Sequence, residues 1–254
     1  MAFSVIRDFY DRPPVHATRS TIRKLNAVIP LFDPNSGGAF LDIACHDGEK
    51  TIALRRYLDA EFTVGVDFEG QALTEAERKG IPVVAFDLNQ KASIPFADAS
   101  FDCIHAGEII EHLFSPDLLL KEITRLLKPS GYAVITTPNL ASWRNRIALL
   151  LGWQPFDTEV SSIFIVGNPR APRGIMSGHI RVFTWKALSE LVDLYGLRIQ
   201  KLQGYAIGEP ISLFTRVLGV VDRIIQRFFP TMCDSILIKV MRKADSVPSE
   251  VSRR

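Results

Sequence analysis

Between residues 39 and 136, short apolar runs alternate with longer segments of helical periodicity, and this alternation constrains the chain more than any other feature it carries. Residues 39–44, 62–66, 82–86, 101–106 and 132–136 read as strands. Residues 48–58, 71–79 and 118–127 read as helices set among them. Strands that alternate with helices pair in parallel through right-handed crossovers, which puts helices on both faces of the sheet. The expected fold is therefore a doubly wound α/β domain. With 254 residues, 47% of them hydrophobic and 23% charged, the chain can bury one large core, and one domain with an added subdomain is expected.

Outside that stretch the pattern is looser. Residues 20–31 read as a helix leading into the domain, and Asp33-Pro-Asn-Ser-Gly-Gly38 is dense in turn formers. Beyond Pro138 the rhythm changes: residues 141–180 carry a short helical stretch, and residues 167–178 are rich in Pro, Gly and Arg. Residues 184–195 return to a helix with Thr184 as N-cap, followed by strands at 197–202 and 235–241. The organisation expected is an N-terminal helical extension (1–38), an α/β core (39–140), a substrate cap insertion (141–183), the remainder of the same sheet with an amphipathic helix (184–243) and a disordered tail (244–254).

Bulk properties narrow the function classes. A formal charge of +2 supplies no field for a polyanion, so nucleic acid is not the expected partner. Cys45, Cys103 and Cys233 are odd in number, and two of them lie in apolar strand-like runs. They read as buried free thiols in a reducing cytoplasm rather than as a disulfide framework. Charges at Arg7, Asp8, Asp11 and Arg12 interrupt the apolar stretch a signal peptide would need, and no run reaches transmembrane length.

Three successive strands end in an acid. Phe40-Leu-Asp-Ile-Ala-Cys-His-Asp-Gly-Glu-Lys-Thr51 is an apolar strand, then a tight turn of small residues, then a helix, the arrangement in which a backbone approaches a ligand closely. Ala44 and Gly48 supply the small residues. Asp42 is placed either to orient the turn or to meet the amino-acid end of a zwitterionic ligand. Val64-Gly-Val-Asp67 puts a carboxylate about twenty residues after the turn, where an acid takes ribose hydroxyls, and Asp87 in Val84-Ala-Phe-Asp-Leu88 is placed to accept from an adenine amine. An isolated Asp is more often a solvated strand end or a cap, but three in series are harder to explain that way.

This series, with Phe101-Asp-Cys-Ile-His-Ala-Gly-Glu-Ile-Ile-Glu-His112 and Leu127-Lys-Pro-Ser-Gly-Tyr-Ala-Val-Ile-Thr-Thr-Pro-Asn139, resembles the class I S-adenosylmethionine-dependent methyltransferases, in particular the ubiquinone-pathway-like O-methyltransferases of the type 11 and 23 group. The resemblance covers residues 39–139 in register and extends loosely to 241. It implies a Rossmann-like sheet of seven strands, mostly parallel with the last antiparallel, under a helical or loop cap. It further implies S-adenosyl-L-methionine as cofactor. Asp42 and the turn of Ala44, Cys45, His46 and Gly48 would hold its methionine part, Asp67 and Phe68 the ribose side, Asp87 and Leu88 the adenine, with Ala106 and Glu108 at the end of the later strand. The chain departs from the usual glycine-rich turn at Ala44 and His46. His46 fits only if its side chain points outward.

Glu108, Glu111 and His112 stand at i, i+3 and i+4 and share one face if the segment is helical. With His179, which follows the Gly-rich stretch, they form a two-Glu, two-His set suited to Mg²⁺ or another divalent metal. This set resembles that of small-RNA 2′-O-methyltransferases. The alternative has Glu108 at the cofactor, Glu111 in solvent and His112 in the core, with no metal. His179 is alternatively a general base, and Glu108 and His179 are the expected catalytic residues.

On the acceptor side, Trp143, Arg144 and Arg146 offer an aromatic wall and positive charge, or else a plain surface helix. In residues 212–229, Phe214, Val217, Leu218, Val221, Ile224, Ile225 and Phe228 fall at helical spacing, apart from Arg216, Arg223 and Arg227. Such a helix packs on its own domain, on a second copy in a homodimer, or on a membrane surface. The activity expected is O-methylation of a small-molecule, sugar or lipid-linked hydroxyl, by a monomer or homodimer that is cytoplasmic or membrane-peripheral. The alternatives are N- or C-methylation, transfer of another group from an altered cofactor, or a non-catalytic binding module.

Overall fold

The computed structural model describes residues 19–68, 70–90, 93–161, 163–168, 177–206 and 213–244. Among these, seven strands form one sheet: β1 (Ala39–Ile43), β2 (Phe62–Asp67), β3 (Val83–Ala85), β4 (Phe101–Gly107), β5 (Leu127–Pro138), β6 (Leu197–Tyr205) and β7 (Ser235–Arg242). Their order is β3-β2-β1-β4-β5-β7-β6. The first five pair in parallel, and β7 runs antiparallel between β5 and β6. The helices are α1 (Arg19–Val28), α2 (Glu49–Leu58), α3 (Gly70–Arg78), α4 (Pro116–Leu126), α5 (Trp143–Leu150), α6 (Trp185–Leu194) and α7 (Leu213–Phe228). This is the Rossmann-like, seven-stranded, mostly parallel architecture that the alternation and the resemblance implied.

Alternating side chains divide the central strands between two cores. Leu41, Ile43, Ile104, Ala133 and Ile135 face the layer that holds Leu119, Leu120 and Ile123 of α4 and Leu188 and Val192 of α6. Phe40, Cys103, Tyr132 and Val134 face Leu25 and Val28 of α1 and Leu54 and Leu58 of α2. Each such fully buried Leu or Ile contributes about 1.5–3 kcal/mol by leaving water, so the two layers clamp the sheet from both sides.

Several boundaries differ from the sequence expectation. Leu127 is not the end of a helix; it is extended, and β5 starts there. Pro129 disfavours a helical residue before it, and Gly131 lets β5 pass close to β4, where a Cβ would come within 2.9 Å of Phe101 O and 3.0 Å of Asp102 O. The segment after Pro138 leaves and returns at one place, since Asn139 bridges Phe183 and Leu140 N donates to Phe183 O at 2.9 Å. The expected features at residues 1–12, at 169–176 within the Gly-rich stretch, at Ser212 and in the tail from 245 lie outside the described residues. So do the side chains of Phe214, Arg216, Val217 and Leu218. No described helix is long and apolar enough to cross a membrane.

Candidate functional site

The turn after β1 is built on left-handed backbone. Ala44 has φ 64°, His46 φ 50° and Gly48 φ 75°, and a non-glycine residue there costs roughly 1–2 kcal/mol. The turn is pinned to β2 by Ala44 N and Cys45 N, which both donate to Val66 O at 2.8 and 3.2 Å. Cys45 points inward onto Gly65, where a Cβ would lie 2.5 Å from its sulfur. Burial pushes its thiol well above the usual range, so it stays protonated and is no nucleophile. His46 points outward with 65% of its side chain exposed, which resolves the departure from glycine at that position. What the turn presents upward is backbone.

Asp42 takes the orienting role of the two left open. It is fully buried; Thr51 Oγ1 donates to one carboxylate oxygen at 2.5 Å and His105 Nδ1 to the other at 2.7 Å. One carboxylate thereby ties β1, α2 and β4 together and has no surface left to offer a ligand. Cys45 and Ala106 are likewise buried, and any part they play in cofactor binding falls to their backbone. His105 was not singled out from the sequence, because its pairing with Asp42 spans two strands distant in the chain.

Asp67 sits half-exposed at the end of β2. His46 N donates to one carboxylate oxygen and Phe68 N to the other, each at 2.8 Å, which fixes the orientation of the carboxylate. The Phe68 ring beside it is 68% exposed, a large apolar face that a stacked heterocycle would cover. Asp87 follows β3, held by Asn89 N at 2.8 Å, with Leu88 buried next to it. An exposed aromatic ring, two half-exposed acids and a bare turn at the carboxyl ends of parallel strands fit an adenosyl ligand.

Glu108 follows β4 with φ 57°. Its carboxylate accepts from Lys24 Nζ on α1 and from Thr136 Oγ1 on β5, both at 3.0 Å. Burial raises its pKa, but the Lys24 ammonium and its hydrogen bond, the Thr136 hydroxyl and the Lys50 charge together hold it below the usual range. Glu108, Lys24, Lys50, His105 and Thr136 line a small pocket that opens to solvent. Lys24 was missed in the sequence because only the packing of α1 on the sheet brings it there.

The expected helical face of Glu108, Glu111 and His112 does not form. Left-handed Glu108 is followed by a single 3-10 turn, Ile110–His112, and Glu108 turns toward Lys24, away from the other two. Glu111 and His112 instead meet His179, one ligand atom of each lying within 4.8 Å of the others. Glu111 does not face solvent, nor does His112 enter the core. Glu111 is fully buried, and His112 has 33% of its side chain exposed. Thr137 Oγ1 donates to Glu111 Oε2 at 3.0 Å, while Oε1 has no hydrogen-bond partner among the described residues and lies 4.0 Å from His112 Nε2. His112 Nδ1 is 3.1 Å from Gly178 O, and His179 Nδ1 is 3.0 Å from Asp157 O. A carbonyl only accepts, so both Nδ1 atoms carry a proton, and Nε2 is the ring nitrogen through which the neutral form of each imidazole binds. Metal-ligating histidines are oriented in this way by their outer partners. One carboxylate oxygen of Glu111 and one ring nitrogen each of His112 and His179, all within 4.8 Å of one another, fit a divalent cation. Burial, then the Glu108 charge, pushes the Glu111 carboxyl up to about 8. Burial is also the largest influence on His112, which is shifted down.

Trp143 and Arg144 are engaged by acids of the protein itself. Trp143 Nε1 donates to Asp222 at 3.1 Å, and Arg144 spans Asp222 at 2.6 Å and Asp234 at 2.5 Å. Two buried acids draw the guanidinium inward; Arg146 alone of the trio is exposed.

Residues 16–202 match the sequence profile of a family described as a methyltransferase domain. The chain belongs to that family. This methyltransferase domain has the class I S-adenosylmethionine-dependent fold. It is 30% identical over 127 residues to demethylmenaquinone methyltransferase of Lactobacillus johnsonii, covering 48% of the chain and 51% of that protein. It is 28% identical over 144 residues to ubiquinone biosynthesis O-methyltransferase of Paracidovorax citrulli, covering 52% and 58%. The chain spans between 37% and 59% of the length of such curated relatives. Its fold is similar to a chain in the complex between the Haloferax volcanii Trm112 methyltransferase activator and a methyltransferase, with TM-score 0.63 at 15% identity over 95% of both chains. It is also similar to an S-adenosylmethionine-dependent methyltransferase from Archaeoglobus fulgidus, with TM-score 0.56 at 18% identity over 94% of this chain and 99% of that one.

Proposed function

We propose that this protein transfers the methyl group of S-adenosylmethionine to a hydroxyl oxygen of a small-molecule, sugar or lipid-linked acceptor, with a divalent cation held by Glu111, His112 and His179. The observation that carries the reading is the buried Glu111 Oε1, without a hydrogen-bond partner among the described residues, in a cluster with the His112 and His179 imidazoles. The match of the chain to an O-methyltransferase of ubiquinone biosynthesis supports the choice of oxygen.

When bound, S-adenosylmethionine supplies a methyl carbon activated by the sulfonium. The chain's own part is mainly positioning. Asp67 accepts from ribose hydroxyls, Asp87 from the adenine amine, and Phe68 covers the ring. Glu108 stays ionised beside Lys24 and lines the neighbouring pocket. A cation at Glu111, His112 and His179 would gather acceptor hydroxyl oxygens and lower their pKa. Asp157 O, Gly178 O and Thr137 Oγ1 hold these three ligands in place. A second reading has His179 as general base, because the Nδ1–H held by Asp157 O leaves Nε2 free to take a hydroxyl proton.

The test is calorimetric titration with S-adenosylmethionine and with Mn²⁺, followed by methyl-transfer assays on vicinal diols, sugars and phenols with and without chelator. Expected are cofactor binding weakened about ten- to a hundredfold by Asp67→Ala, Mn²⁺ binding lost in His179→Ala with cofactor affinity kept, and chelator-sensitive transfer to oxygen. Activity indifferent to chelator but lost in His179→Ala would select the general-base reading. Absence of any cofactor binding would leave a non-catalytic module, and methyl transfer to carbon or nitrogen would overturn the choice of oxygen.

A further inference from the structure

The outer face of α7 is apolar where a surface helix should be polar. Val220, Ile224 and Phe228 stand at i, i+4 and i+8, one face of the helix, and are 46%, 50% and 64% exposed. Arg223 and Arg227, also exposed, flank that stripe. The opposite side is committed to the protein body. Asp222, two positions from Val220 and so roughly across the helix, is 6% exposed and receives Trp143 Nε1 and Arg144 Nη2 from α5. The helix is therefore docked through a charge-compensated contact that leaves the Val220–Phe228 stripe facing outward.

Charge decides what covers it. Across α5 and residues 219–228, the exposed charged side chains are Arg146, Arg223 and Arg227, and the one acid, Asp222, is buried and neutralised by Arg144. A second copy meeting this face about a two-fold axis would bring the flanking arginines of both copies together without an acid between them. An anionic lipid surface meets both demands at once: acyl chains take the apolar stripe and headgroups take the arginines. Leu150 and Leu151, at the end of α5, are also exposed, at 84% and 67%. No described helix is long and apolar enough to cross a membrane, and a helix with an apolar stripe flanked by arginines suits the surface of a bilayer.

We infer that α7 is a membrane-adsorbing helix that lies in the headgroup region of an anionic bilayer through Val220, Ile224 and Phe228, with Arg223 and Arg227 at its flanks. This is independent of the metal and of the methyl acceptor. The test is co-sedimentation of the full chain with vesicles of phosphatidylcholine, with and without phosphatidylglycerol, at low and high salt. The wild-type protein should pellet with the anionic vesicles and be released by salt. Ile224→Glu with Phe228→Glu should weaken binding about tenfold or more, and Arg223→Glu with Arg227→Glu should remove the preference for phosphatidylglycerol. Unchanged S-adenosylmethionine binding and melting temperature would certify both variants as folded. No pelleting with anionic vesicles overturns the inference, as does equal pelleting of wild type and folded variants. A dimer by light scattering that Ile224→Glu with Phe228→Glu dissociates, without vesicle binding, would overturn it in favour of a second copy.

Discussion

Glu108 and Glu111 are three residues apart and titrate in opposite directions. Lys24 holds the first ionised, while burial and the charge of the first keep the second protonated. For Glu111 the folded value lies above the unfolded one, so the stability linked to its protonation is present below the ordinary carboxylate range and is lost as pH rises toward about 8. The groups around it are Glu108, Lys24, Thr137, His112 and His179, and all are shared by a Glu111→Gln variant. Denaturant melts of both proteins in chelator across that window should show the wild type losing stability relative to Glu111→Gln as pH rises. A difference flat with pH would contradict the assigned shift. Adding Mn²⁺ should recover the wild type at the alkaline end, because the cation takes the place of the proton.

The β1 turn depends on a position in the neighbouring strand. Gly65 lies in β2, and the absence of a side chain there makes room for Cys45, whose buried sulfur anchors the left-handed turn from beneath. Gly65→Ala should therefore cost about 1–3 kcal/mol by overpacking and weaken cofactor binding, since the turn must lift. The same substitution in a Cys45→Ala background should cost less, because the sulfur is gone. A double-mutant cycle on stability measures this coupling, and additive costs would show that the turn is not held by that contact. The strands and helices of this half were legible in the sequence because period and turn chemistry are local. The 3-10 turn at Ile110–His112 was not, since the i, i+3, i+4 spacing of Glu108, Glu111 and His112 reads as a helix. The bond from Glu108 N to Thr136 O and the Lys24 ion pair, both long-range, turn that carboxylate away.

At the scale of the whole molecule, Arg144 joins α5 to α7 through Asp222 and to the start of β7 through Asp234. Removing one partner of a buried ion network costs about 3–5 kcal/mol, because the charges left behind are uncompensated. Arg144→Ala should therefore loosen α7, seen as faster limited proteolysis within residues 213–228 while the β-sheet signal in circular dichroism persists. Unchanged proteolysis would mean that α7 is held by other contacts. By itself the sequence determined the doubly wound sheet, the left-handed turn after β1 and the three strand-end acids, because each is encoded by residues close together in the chain. The grouping of His179 with Glu111 and His112 was also legible in the sequence; only the tertiary structure decided that Asp42 is spent on Thr51 and His105, that Glu108 leaves that set for Lys24, and that Arg144 is paired with Asp222 and Asp234. Those assignments depend on which distant groups share a buried volume, and there an unpaired charge is costly enough that pairing, rather than spacing along the chain, sets where each side chain goes.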